Sequence, residues 1–310
     1  MKYTIISNKD YANSGTKLSY ALKQSGEDCE CFVRKPSKMG FKRQLFADVG
    51  MKVLKKRIYE SDVILYKGDF GVLPKEYFDF EIPKSIPKAV MFSGTKFLNN
   101  WEQKISELES DVKKVFVMRP DLRFKKEFVY IPHPINCKEW CPEKRIEHKK
   151  IVISHAISGE SQIKLKGSNS IKSIVNNIKR KYKNVEYNFV CGVPYEVAME
   201  QKLKSDIYID SIGFRYYGNN GVESLALGIP TFIEICEEAY DGYDGDNLYP
   251  VGSGPIDTCK GILGFQLEML VQDKHKRELW GKVSRKWAVK THGYESVSKR
   301  LAKELKECLG

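Results

Sequence analysis

Short apolar runs recur along the chain. Each is followed by a polar loop and then by a stretch with apolar residues at helical spacing. Residues 3–7, YTIIS, read as a buried strand. The loop NKDYANSG follows, with Gly15 near its end, and TKLSYALKQSG keeps a helical period that stops at Gly26. DCECFVR (28–34) is a second strand. Further strands are expected at 62–66 (DVILY), 88–92 (KAVMF), 114–118 (KVFVM) and 128–134 (FVYIPHP). Between residues 34 and 57 the pattern is partly helical, and Phe41, Leu45, Phe46, Val49 and Val53 make one candidate apolar face. Residues 143–150, EKRIEHKK, form a charged linker. The alternation then restarts: strand 151–156, helix 171–182, strand 185–193, helix 194–204, strand 206–210. From Asp273 onward the chain reads as amphipathic helix rich in Lys and Arg. Buried strands alternating with helices imply parallel sheets. Two such series across a charged linker predict an α/β protein of two Rossmann-like domains facing a cleft.

The 310 residues suffice for two domains of common size. No apolar run reaches the roughly 18 residues of a membrane-spanning helix, and the polar residues in MKYTIISNKDY argue for a first strand over a signal peptide. A cytoplasmic location is expected. Eight Cys are scattered without zinc-ribbon spacing, so reduced, structural thiols are expected. The net charge of +12 is one-sided. Residues 1–150 hold 30 Lys+Arg against 20 Asp+Glu, or +10, and residues 151–310 hold 22 against 20, or +2. The densest part, Arg34 to Arg57, has nine basic residues against Asp48 alone. One-sided charge points to a polyanionic partner or an anionic surface.

The stretch with the most chemistry in it is YYGNNGVESLALGIPTF, residues 216–232. A glycine turn with Asn219 and Asn220 leads into a short helix carrying one acid, Glu223, and a Gly-Ile-Pro stop then leads into an apolar strand. Glycines let backbone N–H groups approach a ligand, and a helix N-terminus favours anions. An acid just inside such a helix suits a sugar hydroxyl. The residues read as a site for a nucleoside diphosphate, or as an ordinary loop–helix–strand unit.

Several separated segments, in order, resemble those of GT-B glycosyltransferases, close to the retaining group that uses nucleotide sugars. PDLRFKKEFVYIPHPINCKEWCP (120–142) resembles the family's interdomain segment, and IVISHAISGESQIKLKGSNSI resembles its first C-domain strand and loop. DIYID with YGNNGVESLALGIPTF resembles its donor motif, and WAVKTHGYESVSKRLAKEL its C-terminal helix. The resemblance implies domains at 1–146 and 147–286, with residues 287–310 crossing back to the first. It implies that Glu223 binds the donor ribose and that Tyr217, Gly218, Asn219, Asn220 and Gly221 form the turn that receives the diphosphate. Lys166 would neutralise the leaving phosphate, and Gly192 and Val193 would hold the nucleobase. Gly15, Gly94 and Thr95 match first-domain loops near the donor sugar. Arg215 stands where many relatives carry a second acid, and Lys164 or His155 would replace a basic residue found just before the Lys-Gly pair. His133, between two prolines, reads as a hinge.

Activity would need no metal and no cofactor, the nucleotide sugar being a co-substrate with UDP as the expected carrier. The sequence DGD at 244–246 is a weak imitation of a metal motif. Asp69, in KGDFG, is the first-domain acid that an inverting enzyme would use as a general base. In this fold the first domain chiefly binds the acceptor. Lys42, Arg43, Lys52, Lys55, Lys56 and Arg57 would then track the phosphates of DNA carrying a hydroxymethylated base. The same segment also fits a basic amphipathic helix on an anionic membrane, serving a lipid-linked or envelope glycan, or a solvated basic face. A nucleotide-sugar epimerase and a non-catalytic sugar- or DNA-binding relative are the readings from other classes.

Overall fold

The computed structural model describes residues 1–68, 75–108, 110–212, 216–233, 256–257 and 262–310. Asp69, Arg215 and the DGD at 244–246 lie outside the described residues. The chain forms two compact units, Met1–Asn136 with Gly293–Gly310, and Cys137–His292.

The first unit is built on a parallel sheet. Its strands are β1 (Lys2–Ser7), β2 (Asp28–Val33), β3 (Gln44–Leu45), β4 (Val63–Lys67), β5 (Lys88–Phe92), β6 (Val112–Val117) and β7 (Phe128–Tyr130), in the order β3-β2-β1-β4-β5-β6-β7. Helix α1 (Ser14–Gln24) makes the crossover from β1 to β2. Tyr3, Ile5, Val63, Leu65, Ala89, Met91 and Phe116 of the strands share one core with Leu18 and Leu22 of α1. The basic segment holds two short helices, α2 (Phe46–Val49) and α3 (Met51–Tyr59), split at Gly50, whose φ of +75° suits only glycine. That break shifts the helical phase. The single apolar face expected from Phe41 to Val53 is therefore not formed: Val53 is 55% exposed, and Leu54 and Ile58 are buried instead. Gly94 precedes α4 (Thr95–Asn99), and α5 (Trp101–Ser106) follows.

The second unit has β8 (Ile151–Ile157), β9 (Val185–Cys191), β10 (Ile207–Ile209), β11 (Thr231–Ile233) and β12 (Ile256–Asp257), also parallel, in the order β12-β11-β10-β8-β9. Its helices are α6 (Ser168–Lys181), α7 (Tyr195–Leu203), α8 (Asn219–Ala226), α9 (Leu263–Gln272) and α10 (Lys274–His292). Ile171, Val175 and Ile178 of α6 and Leu263, Leu267 and Leu270 of α9 pack with the strand residues Ile153, Ile207, Ile209 and Phe232. Residues 137–146 belong to this unit although the sequence assigned them to the first. Trp140 is buried with its ring 6.4 Å from that of Tyr195, and the Arg285 guanidinium donates to the carbonyls of Cys137, Trp140 and Ala226. Residues 287–292 complete α10 and stay here too.

The chain returns to the first unit at Gly293, where the Tyr294 N–H donates to the carbonyl of Ile135 at 3.2 Å. Helix α11 (Tyr294–Lys306) lays Val297, Leu301, Ala302 and Leu305 into the first core. Among the described residues no helix is long and apolar enough to cross a membrane.

Candidate functional site

Ligands of open parallel α/β sheets bind at the carboxyl ends of the strands where the strand order reverses. In the second unit that point lies between β8 and β10. The loop after β8 carries Lys164, exposed, and Lys166, buried. Gly167 caps α6 with φ +66°, and a Cβ there would stand 2.4 Å from the carbonyl oxygen of Ile212. The Ile212 N–H in turn donates to the Lys166 carbonyl at 3.1 Å. The Lys-Gly pair is therefore clamped to the backbone just beyond β10, which fixes where the Lys166 side chain starts.

Its ammonium ends at the N-terminus of α8. Lys166 Nζ donates to Asp210 Oδ2 at 3.0 Å, and the N–H of Gly218, the N-cap of α8, donates to the same oxygen at 3.1 Å. Asp210 directly follows β10 and is fully buried. Gly221 stays bare because a Cβ there would lie 3.3 Å from Asp210 Cγ. At its other end α8 is held by Arg285, a cation at the carbonyl end of the helix. A close crossing also anchors it: a Cβ on Gly281 of α10 would lie 2.2 Å from the Gly228 carbonyl oxygen. Asp210 was missed in the sequence. The signal was a charged residue ending an otherwise apolar strand just before the glycine turn.

Glu223 is 1% exposed. Its carboxylate forms a buried ion pair with Lys202 of α7, and the Tyr195 hydroxyl donates to Oε1 at 3.0 Å. Lys202 also donates to Asn220 Oδ1 at 3.0 Å, and the Asn220 amide donates to the carbonyl of Ala156 at 3.3 Å. The rings of Trp140 and Tyr208 lie 5.3 and 5.5 Å from the Lys202 ammonium. Lys202, Tyr195 and Trp140 escaped the sequence reading because they are brought to Glu223 from a helix and a linker far away in the chain. Tyr217 is buried against Trp287 and His292, so it packs the base of the turn.

His155 sits in the middle of this sheet, fully buried. Nδ1 is 2.8 Å from the carbonyl oxygen of Ile209, which only accepts, so Nδ1 carries the proton. Nε2 then accepts from the Ser168 hydroxyl at 2.8 Å. Burial pushes the imidazole below its ordinary pKa, against the opposing pull of the Ile209 carbonyl and Asp210. His155 is a neutral strut linking β8, β10 and α6, stacked on Phe189. Gly192, with φ +66°, and Val193 follow β9; the Gly192 N–H donates to the Ile157 carbonyl at 3.2 Å.

In the first unit Gly15 lies inside α1, not in the loop before it. Its N–H donates to Asp10 Oδ1 at 2.7 Å, and Lys67 Cδ, Asp10 Oδ1 and Cys31 Sγ fill the space where a Cβ would stand. Gly94 caps α4 and Thr95 opens it; the Thr95 side chain lies outside the described set. Of the six basic residues assigned to an acceptor, Lys42, Lys52, Lys55 and Lys56 are exposed. Arg43 and Arg57 are tied into the fold: Arg43 donates to the Asp10 carbonyl at 2.9 Å, and Arg57 pairs with Asp28 at 2.8 Å and donates to the Tyr3 carbonyl at 2.9 Å. Among the described residues no three His, Cys, Asp or Glu gather as metal ligands.

No protein-family model matches the sequence, and no curated protein does. Solved structures do match. One is an alpha-glucosyltransferase in complex with UDP and a 13-mer DNA containing a central A:G mismatch, 12% identical, covering 99% of this chain and 100% of that chain, TM-score 0.67. Another is the catalytic domain of starch synthase IV from Arabidopsis thaliana bound to ADP and acarbose, 11% identical, covering 100% and 99%, TM-score 0.62. A third is sucrose-phosphate synthase from Thermosynechococcus elongatus, 10% identical, covering 99% and 99%, TM-score 0.59. The chain has the GT-B fold of glycosyltransferases.

Proposed function

We propose that this chain is a glycosyltransferase that moves a sugar from a nucleoside diphosphate sugar, with UDP as the expected carrier, to a hydroxyl of a polyanionic acceptor. The observation that carries the reading is the meeting of the Lys166 ammonium with the N-terminus of α8 at the strand-order reversal of the second sheet. The fold shared with enzymes bound to UDP or ADP supports it. As the bond between the sugar C1 and the diphosphate oxygen breaks, negative charge builds on the leaving phosphate. Lys166 and the helix N-terminus oppose that charge without a metal. The acceptor oxygen forms the new bond, its proton leaves with the diphosphate, and the anomeric configuration is retained. Glu223 takes the ribose hydroxyls by exchanging the hydrogen bond that Tyr195 now donates, and the Gly192–Val193 edge borders the nucleobase.

The acceptor is DNA with a hydroxymethylated base. Supporting this are the exposed Lys42, Lys52, Lys55 and Lys56 of the first unit, and a fold neighbour solved with UDP and DNA. The test is a panel of nucleotide sugars offered with hydroxymethylated DNA, unmodified DNA and anionic lipid vesicles carrying glycan acceptors, read by mass shift. A hexose mass added to modified DNA is expected; transfer only to the lipid-linked glycan would replace the acceptor, and interconversion of nucleotide sugars without transfer would indicate an epimerase. DNA affinity should fall steeply with salt. Neutralising the four lysines should flatten the log–log slope by about 3 to 4, at roughly 0.9 for each phosphate that no longer meets a lysine.

A further inference from the structure

Asp210 is fully buried, yet only one of its oxygens is satisfied. Oδ2 accepts from Lys166 Nζ and the Gly218 N–H, while Oδ1, also buried, has no hydrogen-bond partner among the described residues. The first unit holds a similar pair in which both carboxylate oxygens are bonded, although its lysine ammonium has no hydrogen-bond partner among the described residues. Asp10 also stands at the N-terminus of a helix beside a buried lysine, Lys67, 3.2 Å away. There Oδ1 takes the Gly15 N–H, and Oδ2 takes both the N–H and the hydroxyl of Thr16. Burial raises the Asp10 carboxyl, but Lys67 and those N–H groups outweigh it and hold its pKa below the ordinary range. Asp10 is a closed structural cap. Asp210 is half-made, at the helix N-terminus that the donor reading assigns to the diphosphate.

A carboxylate on the Gly218 N–H and the Lys166 ammonium takes the place a phosphate oxygen would take. With no diphosphate present it holds the ammonium at the mouth of α8. Once the diphosphate arrives it is a fixed negative charge of the same sign beside it. We propose that Asp210 is the positioning residue of the donor site, keeping Lys166 aimed at the diphosphate and preventing the nucleoside diphosphate product from binding too tightly to leave. This rests on the donor-site reading above. Asp210→Asn keeps the shape and one acceptor oxygen while removing the charge. It should therefore strengthen product binding and slow turnover, whereas loss of a merely structural residue would weaken both.

The experiment is titration calorimetry of the full chain with UDP, ADP, GDP and inorganic pyrophosphate, on the wild type, Asp210→Asn and Asp210→Ser, each checked for folding by thermal melt. Steady-state turnover is measured alongside. The expected result is pyrophosphate and nucleoside diphosphate binding about tenfold tighter in Asp210→Asn, with kcat lowered and KM for the nucleotide sugar not raised. Unchanged or weaker binding in folded variants overturns the proposal and leaves the donor site standing. If folded wild type and folded variants all fail to bind any of the four probes, the donor-site reading falls and the proposal with it. If neither variant folds, Asp210 is a structural residue and the proposal is overturned.

Discussion

His155 and Glu223 show how differently a buried polar side chain can be used. Burial keeps the His155 pKa below its ordinary value, so the unfolded chain binds the extra proton first. Stability is then greatest where the imidazole is neutral in both states. It declines as pH falls through the unfolded value of about 6.5. Urea midpoints measured from pH 7.5 to 5 should drop, and His155→Gln should drop less over the same range; equal slopes would show that His155 is not the titrating group. Glu223 is the residue on which the resemblance to a donor motif rests, but its carboxylate is locked to Lys202. Removing one partner of a buried pair leaves the other charge unpaired. Glu223→Ala should therefore destabilise the second unit by about 3–5 kcal/mol, read by chemical denaturation. Lost activity in that variant is then no proof of ribose binding; Glu223→Gln keeps the shape but also leaves the Lys202 charge unpaired, so its activity is read only after its fold and stability have been measured. The motif made Glu223 legible in the sequence. Its partners were not, because Lys202, Tyr195 and Trp140 are joined to it only by the folding of α7 and the linker.

At the scale of elements, what the sequence revealed followed length and burial. Strands such as β1, β4, β5 and β8 are runs of buried apolar residues bounded by polar loops, and they were plain in the pattern. The two-residue β3 and the short α4 and α5 were not, since tertiary contacts decide such pieces. The basic segment was legible as partly helical, but its face was misread because Gly50 resets the phase. Helix α11 was read as returning to the first domain only through the family resemblance; the structure gives the physical reason. Val297, Leu301 and Leu305 complete the core that α1 and the first sheet leave open. A fragment of residues 1–136 should melt without cooperativity, and Leu301→Ala in the full chain should cost about 2–5 kcal/mol, measured by thermal and urea denaturation. A cooperative fragment melt would mean that α11 is dispensable to that core.

On the scale of the whole molecule, two sheets with the same strand logic put an aspartate and a lysine at the strand-order reversal. Among the described residues, the second aspartate keeps an oxygen without a hydrogen-bond partner and the first does not. The charge asymmetry, +10 on residues 1–150 against +2 on the rest, puts most of the positive charge on the other half of the chain from the glycine turn, and the proposed polyanionic acceptor would be drawn there. That division of labour, the donor on the second unit and the acceptor on the first, is the central claim. It depends first on Lys166 facing a leaving diphosphate. The most direct measurement is the release of nucleoside diphosphate from a panel of nucleotide sugars by the wild type and by folded Lys166→Gln. Release from one nucleotide sugar by the wild type, slowed about 100-fold or more in the variant, is the predicted result. Release at equal rates by both proteins, or from no nucleotide sugar at all, would contradict it.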